Sequence, residues 1–322
     1  MNIEAGRRGK RGGKWLVSVL LPSLLAGVAV GVWVERAGLG RYPQTPAQGA
    51  VASAPLPPEA VSFPGAGAPE LIAEILRTDP GGSSAGDRAP VWAFLRQLVG
   101  RTSENDLEWL LSADEALNWL RGAVHAAAEI EGRLVEITGD KRLPIALREQ
   151  AMQHLGQWAE ARPAGSAVLE SFRRAVEEER SEGLAGGALL GLLRSRFASA
   201  EKQWLCAAAL ECIGAEGVSG ALREAACHVV ERYGLEQAEP ELRKVLSSGG
   251  TVGERLAALR ALGEVGGAET LGWLEGRPSS GAPLEAAARG KALERIRLRL
   301  AAAGGAPRRS QRDGPRLRPS TV

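Results

Sequence analysis

Aromatic residues make up only 4% of this 322-residue sequence, tyrosine occurs twice and isoleucine eight times. Strands rely on β-branched and aromatic side chains to cover a pleated surface, so a β-sandwich or barrel is excluded. Cysteine and histidine occur three times each and lie scattered, which excludes a disulfide-built scaffold and a metal-rich one. An excess of one charge is also missing, since the formal net charge is +2. What remains is 44% hydrophobic and 24% charged, the composition of a chain that can bury a core. The length suits two ordinary domains, one elongated array, or a domain with tails.

The near-zero total hides a segregation. Residues 1–14 carry Arg7, Arg8, Lys10, Arg11 and Lys14 against Glu4, and residues 303–322 carry five arginines against Asp313, so each end is +4. The remainder is −6.

From Trp15 to Val34 no residue is charged. A helix of that length rises about 30 Å, the thickness of a bilayer's hydrocarbon core. Trp15 and Trp33 stand near its ends, where indole rings favour headgroups. The run is longer than the apolar core of a cleaved signal, and no small-residue cleavage site follows closely, so a retained anchor is expected. With five basic residues before the span and only Arg36 and Arg41 soon after it, the N-terminus is expected in the cytoplasm and the body outside. The Ala/Gly/Arg-rich composition suggests a bacterium, where outside means the periplasm. Ser23, Gly27 and Gly31 recur every fourth residue and line one face of the span, a pattern that permits close helix approach, although glycine is common in any membrane helix.

Residues 35–69 hold seven prolines among Ala, Gly, Ser and Gln. Proline removes backbone donors and forbids helix, so a disordered tether is expected, spanning ~30 Å as a coil and up to ~90 Å as polyproline II. From Glu70 to about Ala302 the apolar pattern is helical. Leu117, Leu120, Val124, Ala127 and Leu134 read as one stripe on a long helix starting near Ser112, with Glu115 completing a capping box. Ser103 to Asp106 and Thr251 to Glu254 read as further starts. Breaks near 80–90, 139–144, 162–165, 214–220, 247–253 and 276–283 divide the region into about a dozen short helices.

A phrase repeats: REQAMQHLGQWA from Arg148, REAACHVVERYG from Arg223 and RLAALRALGEVG from Arg255. In the last two, an alanine pair follows the arginine (Ala225 and Ala226; Ala257 and Ala258) and glycine closes the phrase at the same interval. A degenerate unit at 184–197 fills the longer gap, and LEAAARGKALERIRLRL from Leu284 ends the series. Periods of this size signal a solenoid whose hairpins bury their apolar faces against their neighbours.

In these phrases residues 142–302 resemble the HEAT-repeat superfamily, in particular short HEAT-like repeats of the phycobilin-lyase type, with Thr251–Leu274 the most similar segment. The resemblance implies that Arg148, Arg223 and Arg255 stack between repeats and do not bind a ligand. Two departures stand out: the acidic turn residue that often precedes the arginine is missing before Arg223 and Arg255, and residues 70–141 lack the phrase. That segment, with Trp92, Trp109 and Trp119, reads as a helical cap.

Catalytic signatures are scarce. Ser199 and Lys202 match S-x-x-K, but the S-D-N and K-T-G elements of the penicillin-recognising enzymes are absent, and a helix N-cap explains Ser199. Cys206, Cys212, Cys227 and His228 fit no zinc spacing and fall among apolar helix residues, as buried structural thiols do; a pairing of Cys206 with Cys227 across one hairpin is left open. His125 and His154 have no partner one turn away and read as surface or helix-packing residues. Glu177, Glu178 and Glu179 read as a solvated helix face. Arg308, Arg309, Arg312, Arg316 and Arg318 form a disordered basic tail that is a candidate contact for anionic lipid or an acidic envelope polymer, with a purely solubilising tail as the alternative. Nucleic acid is disfavoured because the tail lacks aromatics for base stacking.

The expectation is therefore an all-α protein, a HEAT-like solenoid behind one transmembrane helix. It is read as a non-enzymatic scaffold that binds another protein and needs no cofactor. The alternatives are a lyase-type enzyme on the same repeats, or inverted topology with a nucleic-acid-binding tail in the cytoplasm.

Overall fold

A computed structural model of the chain describes residues 68–99, 107–277 and 282–305. The apolar run 15–34 with Ser23, Gly27 and Gly31, residues 35–67 of the tether, Ser103 and the five tail arginines lie outside the described residues. Among those described, no helix is long and apolar enough to cross a membrane.

The described residues are all-helical, as the scarcity of strand formers requires. Thirteen α-helices occur among them: α1 (Ala68–Ile75), α2 (Ala85–Arg96), α3 (Leu107–Gly122), α4 (Ala127–Gly139), α5 (Ile145–Ala161), α6 (Ser166–Glu178), α7 (Gly183–Arg194), α8 (Lys202–Gly214), α9 (Gly220–Tyr233), α10 (Glu239–Ser247), α11 (Val252–Val265), α12 (Ala268–Gly276) and α13 (Pro283–Gly305). From α3 onward the odd-numbered helices pack one against the next in a single layer. The even-numbered helices α4 to α12 form the other layer, each packed on the odd helix that follows it. This is solenoid-like packing: an element touches its hairpin partner and the equivalent helix of the next hairpin. α1 and α2 close the N-terminal end over α3.

Several helix starts follow local chemistry. Ser84 and Asp87 form a reciprocal capping box on α2, and Thr251 and Glu254 form another on α11. Gly234 ends α9 at φ +63°, a left-handed geometry that glycine adopts without a Cβ clash. α1 starts at Ala68, inside the stretch expected to be tether, with Pro69 near its first turn, where a missing N–H costs nothing.

Other expectations are corrected. The single helix expected from near Ser112 through Leu134 is two, α3 and α4, joined by a 3-10 turn at Val124–Ala126. Ser112 lies inside α3, and Val124 is 56% exposed, although Leu117, Leu120 and Leu134 are buried. The break is tertiary in origin. The α1–α2 connection crosses there, with Thr78's carbonyl accepting from Trp119 Nε1 (3.0 Å) and Ser83's carbonyl 2.7 Å from His125 Nε2. The break expected over 80–90 is narrower, because α2 already runs from Ala85 and contains Pro90. Ser199 does not cap α8: Glu201 holds that position, and Ser199 is exposed in the preceding turn.

One apolar core runs through the described helices, and Ala225, Ala226, Ala257 and Ala258 are completely buried within it. Their small side chains set the approach of neighbouring odd helices, and glycine carries this further on α7. A Cβ on Gly156 would lie 3.1 Å from the Gly191 Cα, where α5 and α7 meet. A Cβ on Gly186 would lie 2.5 Å from the carbonyl carbon of Ala221 and 2.8 Å from the amide nitrogen of Leu222, both on α9. Real Cβ atoms do not approach backbone so closely, so any side chain here must push α7 and α9 apart. Gly186→Ala should destabilise by about 1–3 kcal/mol through overpacking, although alanine exceeds glycine in helix propensity by about 1 kcal/mol. Gly272, exposed on α12 with open space beyond its Cα, is the control. Gly272→Ala should gain up to about 1 kcal/mol in the same urea titration. Equal shifts for the two variants would mean that α7 and α9 are not in backbone contact.

Candidate functional site

Arg148, Arg223 and Arg255 each occupy the fourth residue of an odd-numbered helix, α5, α9 and α11. From there each guanidinium reaches a carboxylate of the following hairpin and one or two carbonyls just ahead of its own helix, in the loop for Arg223 and Arg255 and in the last turn of α4 for Arg148. Arg148 Nη2 donates to Glu179 at 2.6 and 2.7 Å, while Nε and Nη2 donate to the Thr138 carbonyl at 3.0 and 2.9 Å. Arg223 donates to Glu254 at 2.5 Å and to the carbonyls of Ala215 and Val218. Arg255 donates to Glu285 at 3.0 Å and to the Gly250 carbonyl. These are charge-assisted bonds with fixed geometry, and they pin successive hairpins in register.

Glu254 and Glu285 each stand at the third helical residue, one position before the arginine register. Glu254 directly precedes Arg255 but stands inside α11 and not in the turn before it, and it serves Arg223 of the preceding hairpin. Glu179 likewise departs from the solvated face expected of Glu177–Glu179: its neighbours are exposed, but its own side chain is 11% exposed against Arg148. Arg88 was not singled out from sequence, yet it is also the fourth residue of its helix. It donates to Glu129 at 3.1 and 2.7 Å and to the Ser83 carbonyl at 2.7 Å. Its position within α2 was the available signal, hidden because the surrounding phrase is absent. In α7 the same register holds Gly186, so the α7–α9 seam replaces the ion pair with backbone contact.

A second set of glutamates caps helices in trans. Gly165, Glu182 and Gly267 stand at the N-caps of α6, α7 and α12 and supply no side-chain cap. Glu131 of α4 accepts from the Gly165 amide at 2.8 Å, and Glu239 of α10 accepts from the Gly267 amide at 3.3 Å and from Thr270. The Glu149 carboxylate of α5 lies against Gly183, at the start of α7. Each helix start is thus completed by the previous hairpin.

The seam carboxylates respond to acid in opposite senses. Burial opposes ionisation of Glu254, but the Thr251 amide and Arg223 outweigh it and hold the carboxyl below the usual glutamate range. Its contribution is present at neutral pH and lost as pH falls through that lowered value. Burial, with the Glu182 charge, pushes Glu149 up, and burial pushes Glu131 up. Those two favour the folded state below the ordinary glutamate pKa, and that contribution is lost as pH rises through their raised values.

The outward surface of the odd-numbered layer carries a charged cluster across three helices. His228 Nδ1 lies 3.5 Å from Glu231, and Arg260 approaches its Nε2 at 3.2 Å. Arg295 contacts Glu264 at 2.6 Å and Glu231 at 3.8 Å. The hydrogen bond from His228, with Arg260 and Arg295 nearby, holds Glu231 below its ordinary pKa despite burial. The imidazole has a carboxylate near one nitrogen and a guanidinium near the other.

The remaining candidates fall apart in space or chemistry. Cys206, Cys212 and Cys227 are free thiols; Cys212 and Cys227 are buried, and burial pushes Cys227 up to about 12, which keeps it protonated and unreactive. No group of three or more His, Cys, Asp or Glu side chains among the described residues is placed to hold a metal. His154 is a packing residue, buried with Nε2 3.5 Å from Asp114, whereas His125 bonds to Ser83 and Arg88 at the α1–α2 connection. An open recess of about 540 Å³ lies between α2 and α4, bordered by Trp92, Arg96, Arg133 and Arg142. Its arginines are already matched: Arg96 and Arg133 face Glu136, and Arg142 faces Asp140. No family model, curated protein or solved structure matches this chain.

Proposed function

We propose that this chain is a membrane-anchored, non-enzymatic scaffold. Residues 15–34 hold it in the inner membrane of a bacterium with residues 1–14 in the cytoplasm, and a HEAT-like solenoid over 142–302 binds another protein in the periplasm. The observation that carries this reading is where the polar chemistry goes. Arginines and glutamates bind one another across the seams of the array, so the conspicuous charged groups build a platform and leave a long outer helical surface for a partner. Solenoids use such surfaces for extended contacts.

The test is crosslinking of the full chain in intact membranes. One captured protein should be lost when exposed residues of α5 are made basic, as in Gln153→Arg with Glu160→Arg, and kept when residues 303–322 are removed. Capture that disappears with the tail, or that fades steeply with salt, would reduce the solenoid to a spacer. Protease added to spheroplasts should digest the body; protection until lysis would overturn the topology.

A further inference from the structure

We propose that two copies of this chain bind edge to edge, the basic edge of one against the acidic edge of the next. The inference concerns a second copy and not the partner of the outer helical surface, and it does not rest on that reading. The odd-numbered helices from α5 onward run parallel, which gives the array two edges. The pairs made by Arg148, Arg223 and Arg255 lie where these helices start, whereas Arg232, in the last turn of α9, donates to the Leu193 carbonyl near the end of α7. The length of a helix separates the edges, about 18 Å for the 12 residues of α7. Where the odd helices end, cations stand without acids. Arg194 is the last residue of α7, Arg196 lies in the turn 195–201, Lys202 opens α8, and these three and Arg232 are exposed. Tyr233 ties the group together: Lys202 Nζ lies 5.3 Å and the Arg232 guanidinium 5.9 Å from its ring centroid, and its hydroxyl donates to the Ala198 carbonyl of the turn at 3.1 Å. None of the four cations has a carboxylate partner among the described residues, and Glu201 of the same turn is held by Arg173.

Where the odd helices start, the arginines are matched and carboxylates are left over. Glu182 stands just before α7 and Glu216 in the turn before α9; both are exposed, and neither has a cationic partner among the described residues. Their turns touch, because the Ser219 hydroxyl donates to the Glu182 carbonyl at 2.9 Å and the Ser219 amide to the Arg180 carbonyl at 2.8 Å. Arg180 is engaged by Glu211, and the Glu182 charge adds to burial in pushing Glu149 up, the mark of a local negative excess. Like charges gathered on a surface repel, so each cluster is relieved by charge of the opposite sign. A soluble anion would relieve one edge alone. A second copy relieves both, since the acids precede α7 and α9 and the cations follow the same two helices: displacing one copy along the helix direction sets them opposite each other. Such a head-to-tail contact is heterologous, so it leaves one free edge of each sign and further copies add in a row.

The test is sedimentation velocity of the full chain in detergent micelles over a range of protein concentrations. The unaltered chain should associate at low salt, and about tenfold more weakly at about 0.5 M salt, where exposed charges are screened. Reversing the basic edge with Arg194→Glu, Arg196→Glu and Lys202→Glu, or the acidic edge with Glu182→Lys and Glu216→Lys, should weaken self-association at least about tenfold. Arg232 is left in place because it also serves the Leu193 carbonyl. Mixed in equal amounts the two variants should associate again, since one then carries two acidic edges and the other two basic ones. Circular dichroism checks that both keep their helix content. A chain that stays monomeric at low salt overturns the proposal, as does a mixture that fails to recover. Association that ignores salt and both reversals uses another surface and overturns it equally.

Discussion

Arg148→Ala and Glu179→Ala should each lower the unfolding free energy by about 3–5 kcal/mol, the cost of leaving one member of a buried ion pair without its partner. The two side chains are 6% and 11% exposed, and Arg148 also satisfies the carbonyl of Thr138, so either truncation leaves further polar groups unpaired. Replacing both by apolar residues of similar volume, Arg148→Met with Glu179→Leu, should cost far less than either single change, because no buried charge remains. Arg297 and Glu275 supply the contrast: 59% and 45% exposed, they should change stability by about 0–1 kcal/mol when either is truncated. Urea titration with a common slope checks all of these. A loss below about 1 kcal/mol for Arg148→Ala would mean that water reaches the pair and that the α5–α7 seam is held by packing alone.

Leu262→Ala should cost about 2–5 kcal/mol, since Leu262 is fully buried in α11 and its removal leaves a cavity between two rigid helix layers. Leu259, 2% exposed on the same helix, should behave similarly. Because the thiols are free, reducing agent should leave both values unchanged. A loss within about 0.5 kcal/mol, the range of surface substitutions, would place α11 in another orientation.

The architecture was readable where the signal is periodic and local. The alanine pairs after Arg223 and Arg255 named the faces that pack, and Thr251 with Glu254 named a helix start. The degenerate stretch at 184–197 is occupied by α7, whose glycines erased the phrase and at the same time brought its neighbours closer. What escaped depends on contacts between distant segments. The division between α3 and α4 comes from the α1–α2 connection lying across it: Pro80 packs on Gly122, the last residue of α3, and a lone glycine in the sequence does not reveal that distant contact. Arg88 was hidden because its partner Glu129 is 41 residues away in sequence. The glutamates that cap α6, α7 and α12 were invisible for the same reason, since a trans cap leaves no motif around the helix it completes. The outward surface of the odd layer has no sequence signature at all: its residues are recognisable only after the buried ones have been identified.

α11 carries both halves of the seam pairing at adjacent positions, Glu254 receiving Arg223 from behind and Arg255 reaching forward to Glu285. A hairpin built this way is self-complementary in one direction. Tandem duplication of the segment that contains it would present each new copy with a ready partner on both sides, and the array would lengthen without further change. α13 keeps the receiving glutamate but has Ala286 where the arginine would stand, so Arg255–Glu285 is the last pair of this register among the described residues. Among the described residues the pairs therefore run in one direction along the array, each arginine reaching toward the hairpin that follows.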